Sequence, residues 1–157
     1  MSPIERVRAY FQAQKVNIDI IEMDEDTSTA YLAATALGTE VGQIAKSILF
    51  KSRNSDYLMV VSAGDVRIDT RAIKELVGVK VRMANGEEVQ EMTGFNIGGV
   101  CPFALQKPIP IYLDESLKRY PIVYAAAGTS NTAVPVSFLQ LQKITGGSPC
   151  QVTLPPA

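Results

Sequence analysis

Gln43-Ile44-Ala45-Lys46-Ser47-Ile48-Leu49-Phe50-Lys51 leads, across the polar stretch Ser52-Arg53-Asn54-Ser55-Asp56, into Tyr57-Leu58-Met59-Val60-Val61-Ser62. Two apolar runs of strand length flank a loop of turn-forming residues. The pattern predicts a β-hairpin over 47–51 and 57–62, with a loop longer than the tightest turns. Residues 39–45 read as a helical turn, so Lys46 emerges at a helix-to-strand junction. Its ammonium stands at the mouth of an otherwise apolar run.

Toward the N-terminus, residues 31–37 predict a short helix that Gly38 ends, 24–29 a polar turn, and the isoleucine-rich 18–23 a strand. Ser2-Pro3-Ile4-Glu5 is a helix start with a cap, a proline at the first helical position and a capping-box glutamate. Ile4, Val7 and Phe11 then share one face. Toward the C-terminus, 63–65 read as a turn. Asp69 caps a helix with Ile73, Leu76 and Val77 inward, and Gly78 ends it. A strand follows over 79–83. Asn85 and Glu88 frame a helix that stops at Gly94.

Residues 109–113 form a strand with Pro110 at an edge or a strand beginning. Asp114 opens a short helix to Arg119, 122–126 and 132–136 are strands, and Gly128-Thr129-Ser130-Asn131 is the turn between them. Ser137 and Gln140 box the last helix, which 146–149 end, and 155–157 are a tail. Short strands interleaved with short helices, with no repeat or linker, predict one α/β domain of the mixed α+β kind over 1–157. The spacing is too irregular for a doubly wound fold, and no phosphate-loop motif follows a strand.

The composition bounds the chemistry. The chain has 157 residues, 46% hydrophobic and 20% charged, enough for a core without staples. A net charge of −1 argues against sequence-blind DNA binding and leaves room for a local basic patch. Two distant cysteines, Cys101 and Cys150, and no histidine make a metal site improbable. No cofactor motif is present. No signal peptide or membrane-length apolar run is seen, so the chain is read as soluble and cytoplasmic, with no membrane partner.

Without histidine the usual neutral-pH proton carrier is missing. Lys46 is the first candidate. In a cleft, a desolvated lysine is a base; in solvent it is a cation for an anionic or carbonyl oxygen; at an ordinary strand start it is neither. Gly98-Gly99-Val100-Cys101-Pro102-Phe103 is the second candidate. Adjacent glycines leave N–H groups uncovered for a carbonyl or oxyanion, and Pro102 stiffens the exit; a tight turn is the competing reading. Cys101 as a nucleophile needs activation by Lys46 or a helix N-terminus, whereas a lone cysteine in an apolar run is ordinarily a small buried residue. Gly128 to Asn131 supply small polar groups for a ligand or for the turn itself. Asp65, Arg67 and Asp69 read as a solvated turn and cap, and Glu87, Glu88 and Glu91 as an exposed helix face.

Taken in order, 43–50, Val60-Val61-Ser62-Ala63-Gly64-Asp65, and Thr93-Gly94-Phe95 with Gly98 to Phe103 resemble the YbaK/ProX family, which includes the editing domain of bacterial prolyl-tRNA synthetases. The similarity runs from about Thr27 to about Leu141. It implies a central mixed, partly barrel-like β-sheet flanked by helices. It also implies hydrolysis of the ester joining a wrong amino acid to tRNA, with mischarged aminoacyl-tRNA, usually for proline, as partner.

Lys46 matches the family's key lysine. Thr27, Ser47, Gly98, Gly99, Val100, Cys101, Pro102, Gly128, Thr129 and Ser130 fall on its substrate-binding positions. Some members that remove alanine carry histidine after the glycine matching Gly128; Thr129-Ser130-Asn131 stands here instead. Cys101 replaces another small residue. An activated ester needs no strong nucleophile: water attacks, aided by the terminal ribose hydroxyl, while backbone N–H groups hold the oxyanion. Two rivals stand beside this reading. One is a non-catalytic module of the same fold that binds tRNA or a synthetase; the other hydrolyses a small ester unrelated to tRNA. Docking on an aminoacyl-tRNA synthetase would ease tRNA capture by a near-neutral chain.

Overall fold

The computed structural model describes residues 1–156. Along the chain run α1 (Pro3–Ala13), β1 (Ile21–Glu22), α2 (Ala30–Leu37), β2 (Ile44–Ser52), β3 (Tyr57–Ala63), β4 (Arg67–Ile68), α3 (Thr70–Val77) and β5 (Val81–Met83). Then follow α4 (Gly86–Thr93), β6 (Ile111–Asp114), β7 (Val123–Ala125), β8 (Thr132–Val136), α5 (Phe138–Thr145), β9 (Ser148–Cys150) and β10 (Thr153–Leu154). Single 3-10 turns occupy Val41–Gln43 and Glu115–Arg119. The helix boundaries sit on their caps. Ser2, Thr29, Asp69, Asn85 and Ser137 accept from N–H groups of the first turns, and Gly38, Gly78, Gly94 and Gly146 end four helices in the left-handed region.

β2 and β3 form the predicted hairpin, paired antiparallel from Ala45↔Ala63 to Lys51↔Tyr57. Alternation sends Met59, Val61 and Ala63 with Ala45 and Leu49 into the main core, and Leu58, Val60 and Phe50 into a second cluster with Ile73 of α3. Both faces are covered, which is why the run reads as nearly continuously apolar. β3 continues to β6 and β9 in parallel.

β2's other edge is divided. β7 pairs with it in parallel at Ile44 and Ala45, and β5 antiparallel from Phe50 to Ser52. No strand covers the span between. The sheet order is β1-β8-β7-β2-β3-β6-β9 with β5 beside β2. The ends do not meet, so the partly barrel-like sheet implied by the family resemblance is an open mixed sheet. Closure requires long, staggered strands at the seam, and the terminal strands here are two and three residues long.

Several boundaries differ from the expected ones. The strand expected over 18–23 shrinks to Ile21–Glu22, because only Ala133 and Thr132 of β8 are opposite it. Ile18 and Ile20 pack on the core without a ladder. Pro110 precedes its strand. The end signal at 146–149 conceals β9, whose Pro149 is tolerated because β9 is the sheet's last strand. β4 and β10 pair only with each other. No helix among the described residues is long and apolar enough to cross a membrane.

Buried Asp114 organises the C-terminal segment. Its Oδ1 accepts from Val152 N–H at 2.8 Å, and its Oδ2 from Ser116 N–H at 3.0 Å and Thr153 Oγ1 at 2.8 Å. Asp114→Asn replaces one acceptor with an NH2 group facing a donor. About 2 kcal/mol of stability should be lost in urea denaturation. A midpoint equal to wild type would refute the tether.

Candidate active site at the open edge of β2

The uncovered span of β2 borders a cavity of about 300 Å³. Ala30, Ala33 and Leu37 of α2 close one side; Val89, Ile97, Gly98 and Val100 close the other. Tyr124, Ala125 and Ala126 from β7 and its exit stand at one end, Met83 and Ala84 from β5 at the other. Most of the wall is apolar.

β2 alternates here. Lys46 follows Ile44, which clusters with Ala33 and Ala34 of α2, so it lies on the α2 side. Its side chain is exposed at the cavity, and no carboxylate among the described residues pairs with its Nζ. The side chain is thus not enclosed by the apolar wall. Ser47 lies on the opposite side with Ala45 and Leu49. Its Oγ is buried and has no hydrogen-bond partner among the described residues. A buried hydroxyl is ordinarily satisfied, so one that lines a cavity has a donor to offer to a ligand atom or to water. The backbone adds to it. Ala84 N–H donates to Leu49 O at 2.9 Å on this edge, so, two residues back, the Ser47 N–H and C=O also face the gap.

The glycine-rich loop stands against the turn after β7. A Cβ on Gly99 would lie 2.7 Å from the Gly128 carbonyl oxygen and 2.8 Å from Thr129 Cα, so only glycine permits this approach. The Gly99 N–H donates to Asn96 O at 3.0 Å and is thereby occupied, whereas the N–H groups of Gly98 and Val100 meet no protein acceptor among the described residues. Thr27 ties the same corner: its N–H and Oγ1 both donate to Ser130 O, at 2.6 and 2.9 Å. The turn satisfies itself. Thr129 Oγ1 donates to Asn131 Oδ1 at 2.8 Å, and Thr132 Oγ1 accepts from Ala127 N–H at 3.0 Å.

Of the residues singled out in the sequence, Lys46, Ser47, Thr27, Gly98 and Val100 line the cavity. Gly99, Cys101, Pro102, Gly128, Thr129 and Ser130 are outside its lining; Ser130 is exposed, and Pro102 borders a separate hollow with Tyr10 and Leu105. Cys101 is wholly buried, with Sγ 3.7 Å from Phe103 O, and burial pushes its thiol up to about 12. Burial also raises the Cys150 thiol to about 12.

One residue that braces the site gave no signal in the sequence. Arg6 of α1 donates to the carbonyls of Thr93, Gly94 and Ala104, and its guanidinium lies 4.6 Å over the Phe95 ring. It thus closes the C-terminal end of α4 and fixes both ends of the glycine-rich loop, from 87 to 98 positions away. Asp65 behaves differently from a solvated turn residue. The Arg119 guanidinium beside it holds its carboxyl below the usual range. Gly42 fits beneath Asp65 and Tyr120, where a Cβ would meet Tyr120 Oη at 2.8 Å and Asp65 Oδ2 at 3.0 Å. That contact sets the turn from which β2 presents Lys46.

The family model for the aminoacyl-tRNA editing domain matches residues 24–144. The uncharacterized protein YwhH of Bacillus subtilis (strain 168) is 35% identical over 142 residues, 90% of each chain. The "Putative Cys-tRNA(Pro)/Cys-tRNA(Cys) deacylase EbsC" of Enterococcus faecalis (strain ATCC 700802 / V583) is 25% identical over 82% of this chain and 79% of its own. Among solved structures, a "putative trans-editing enzyme for prolyl tRNA synthetase" superposes with a TM-score of 0.91 at 35% identity, covering 98% of both chains.

Two outcomes are expected from this geometry. Neither cysteine should react with a thiol reagent at pH 8 in the native protein, and both should react on unfolding; rapid native labelling of Cys101 would contradict its burial. Gly99→Ala should separate the loop from the turn, lowering the thermal midpoint by several degrees, for a loss of about 1–3 kcal/mol. An unshifted midpoint would mean the two backbones can part freely.

Proposed function

The chain belongs to the aminoacyl-tRNA editing domain family, and we propose that it is a trans-acting deacylase that hydrolyses the ester of a mischarged tRNA, a proline tRNA carrying a small wrong amino acid. The observation that carries the reading is the cavity at the open edge of β2, with an exposed ammonium at Lys46 and an orphan buried hydroxyl at Ser47.

Lys46 holds the carbonyl oxygen or the phosphate of the terminal nucleotide by a charge-assisted hydrogen bond. The aminoacyl side chain enters the apolar wall, where Ala33, Ala45 and Ala125 offer no polar atom beyond the backbone. Water attacks the carbonyl carbon, the ester C–O bond to the ribose breaks, and the ribose oxygen takes the proton. The free amino acid and the tRNA leave. The vicinal ribose hydroxyl assists the proton transfer, so histidine is dispensable. The oxyanion is assigned to the N–H groups of Gly98 and Val100 rather than Gly99, with Ser47 Oγ as a further donor. Such a site corrects an error that synthetic sites cannot avoid, since one methylene is worth only about 1–3 kcal/mol of discrimination.

A panel of proline tRNA carrying alanine, cysteine or serine tests the reading. Wild type should deacylate at least one ester, and Lys46→Ala should do so at least about 100-fold more slowly with an unchanged denaturation midpoint. No turnover by a folded sample that binds tRNA would replace the deacylase with a non-catalytic binding module. An equal rate in Lys46→Ala would remove Lys46 from the reaction.

A further inference from the structure

The β2–β5 ribbon carries a segregation of charge that the cavity does not use. Lys51 lies directly opposite Arg82, and the Arg53 N–H donates to Lys80 O at 2.9 Å, which carries the pairing one residue beyond the strands. Lys51 and Arg82 share one face of the ribbon, and Arg53 and Lys80 stand as the next opposed pair at its outer end. One carboxylate answers them. Glu88 of α4 bonds Arg82 at 2.9 and 3.0 Å and Lys51 at 3.2 Å, while also capping α4 through Asn85 N–H. Arg82, followed by the Asn85 N–H, holds the Glu88 carboxyl well below the usual range, so this counter-charge is permanent at neutral pH. Arg53 and Lys80 are exposed and pair with no carboxylate among the described residues. Like charges directly opposite in a ladder are unfavourable in the free protein. An excess of cations on one ribbon is therefore notable in a chain of net charge −1.

The same ribbon reaches the site. Leu49, Met83 and Ala84 at its inner end line the cavity. From there to Arg53 the strand rises roughly 13 Å. We propose that this ribbon is a track for the phosphate backbone of the RNA whose 3′ end enters the cavity. The proposal rests on the deacylase reading for the identity of the RNA. Charge complementarity supplies the rest: Arg53 and Lys80 meet phosphates directly, while Lys51 and Arg82 are positioned by Glu88. Phosphate contacts of this kind position a nucleic acid without reading its sequence. The track also lets a near-neutral chain capture tRNA without a synthetase supplying the basic surface.

The competing role for these charges is protection of an edge. β5 pairs only with β2, and charged side chains on such an edge block strand addition. Lysine serves that purpose too, so the sign of the charge does not separate the two roles and the binding comparison does.

The test is the double variant Arg53→Glu/Lys80→Glu. The control is Arg71→Glu/Lys74→Glu on exposed positions of α3, which covers the ribbon's opposite face through Ile73. Binding of uncharged proline tRNA is measured between 50 and 200 mM salt. Turnover is measured on aminoacyl-tRNA and on a phosphate-free aminoacyl-adenosine ester. The ribbon variant should bind tRNA at least about 10-fold more weakly at the lowest salt, with the salt slope reduced by about two, one per lost phosphate contact. KM for aminoacyl-tRNA should rise at constant kcat, and turnover of the phosphate-free ester should stay at the wild-type value. Wild-type affinity and slope in the ribbon variant, no measurable binding by wild type, or an equal loss in the control pair would each overturn the track. Absence of turnover on every ester would sink the deacylase reading alone, because the binding comparison still decides the ribbon.

Discussion

Everything distinctive in this molecule follows from one unfilled edge. β2 is the central strand, fully paired with β3 on one side. On the other side, two short strands share it end to end and leave the middle bare. Interior backbone groups are nearly always paired, so a bare span inside a sheet requires a substitute partner. Here the substitute is a cavity, and the cavity takes its polar character from that span: the Lys46 ammonium on one side, the Ser47 hydroxyl on the other, and the Ser47 peptide groups between. β5 is too short to extend inward, and β7 turns away after Ala125.

Around this edge, the fold is held by backbone approaches that admit no side chain. Gly99 meets the Gly128–Thr129 peptide, and Gly42 meets the ring of Tyr120. Gly64 meets Ala30 and the carbonyl of Val41, so the β3 exit, α2 and the turn before β2 share one tight contact. Each is a rigid joint between segments distant in sequence. Arg6 adds a polar joint, donating to three carbonyls at the two ends of the glycine-rich loop. The side chains at the cavity therefore sit on a scaffold with little slack. That suits a site working by positioning and electrostatics rather than by a strong nucleophile.

The chemistry is correspondingly spare. No histidine is present, and both thiols are buried and hard to ionise. What remains is one exposed cation, one orphan hydroxyl, a few N–H groups and an apolar wall. An aminoacyl ester is an apt substrate for such a set, since it is already activated and brings its own ribose hydroxyl. The cations of the β2–β5 ribbon extend the same economy, using charge to orient a large substrate whose reacting end is small.

Much of this was legible in the chain. The hairpin was visible because its two runs have strand length and a turn between them. Caps at Ser2, Asp69, Asn85 and Ser137, with glycines at 38, 78 and 94, marked the helices, because capping is local chemistry. The family resemblance rested on short ordered motifs and singled out Lys46. Sequence alone did not show which edge of β2 stays open, that Ser47 Oγ lacks a partner, or that Gly99 uses its N–H internally. Nor did it show that Cys101, Gly128, Thr129 and Ser130 lie outside the lining of the cavity. Arg6, the hold of Asp114 on Val152 and Thr153, β9 and β10 were invisible for the same reason: their partners lie tens of residues away. Local propensity and capping depend on neighbours in sequence, which the chain itself supplies. An unfilled edge, an orphan hydroxyl and a shared counter-ion depend on what fails to arrive from elsewhere, and only the tertiary structure decides that.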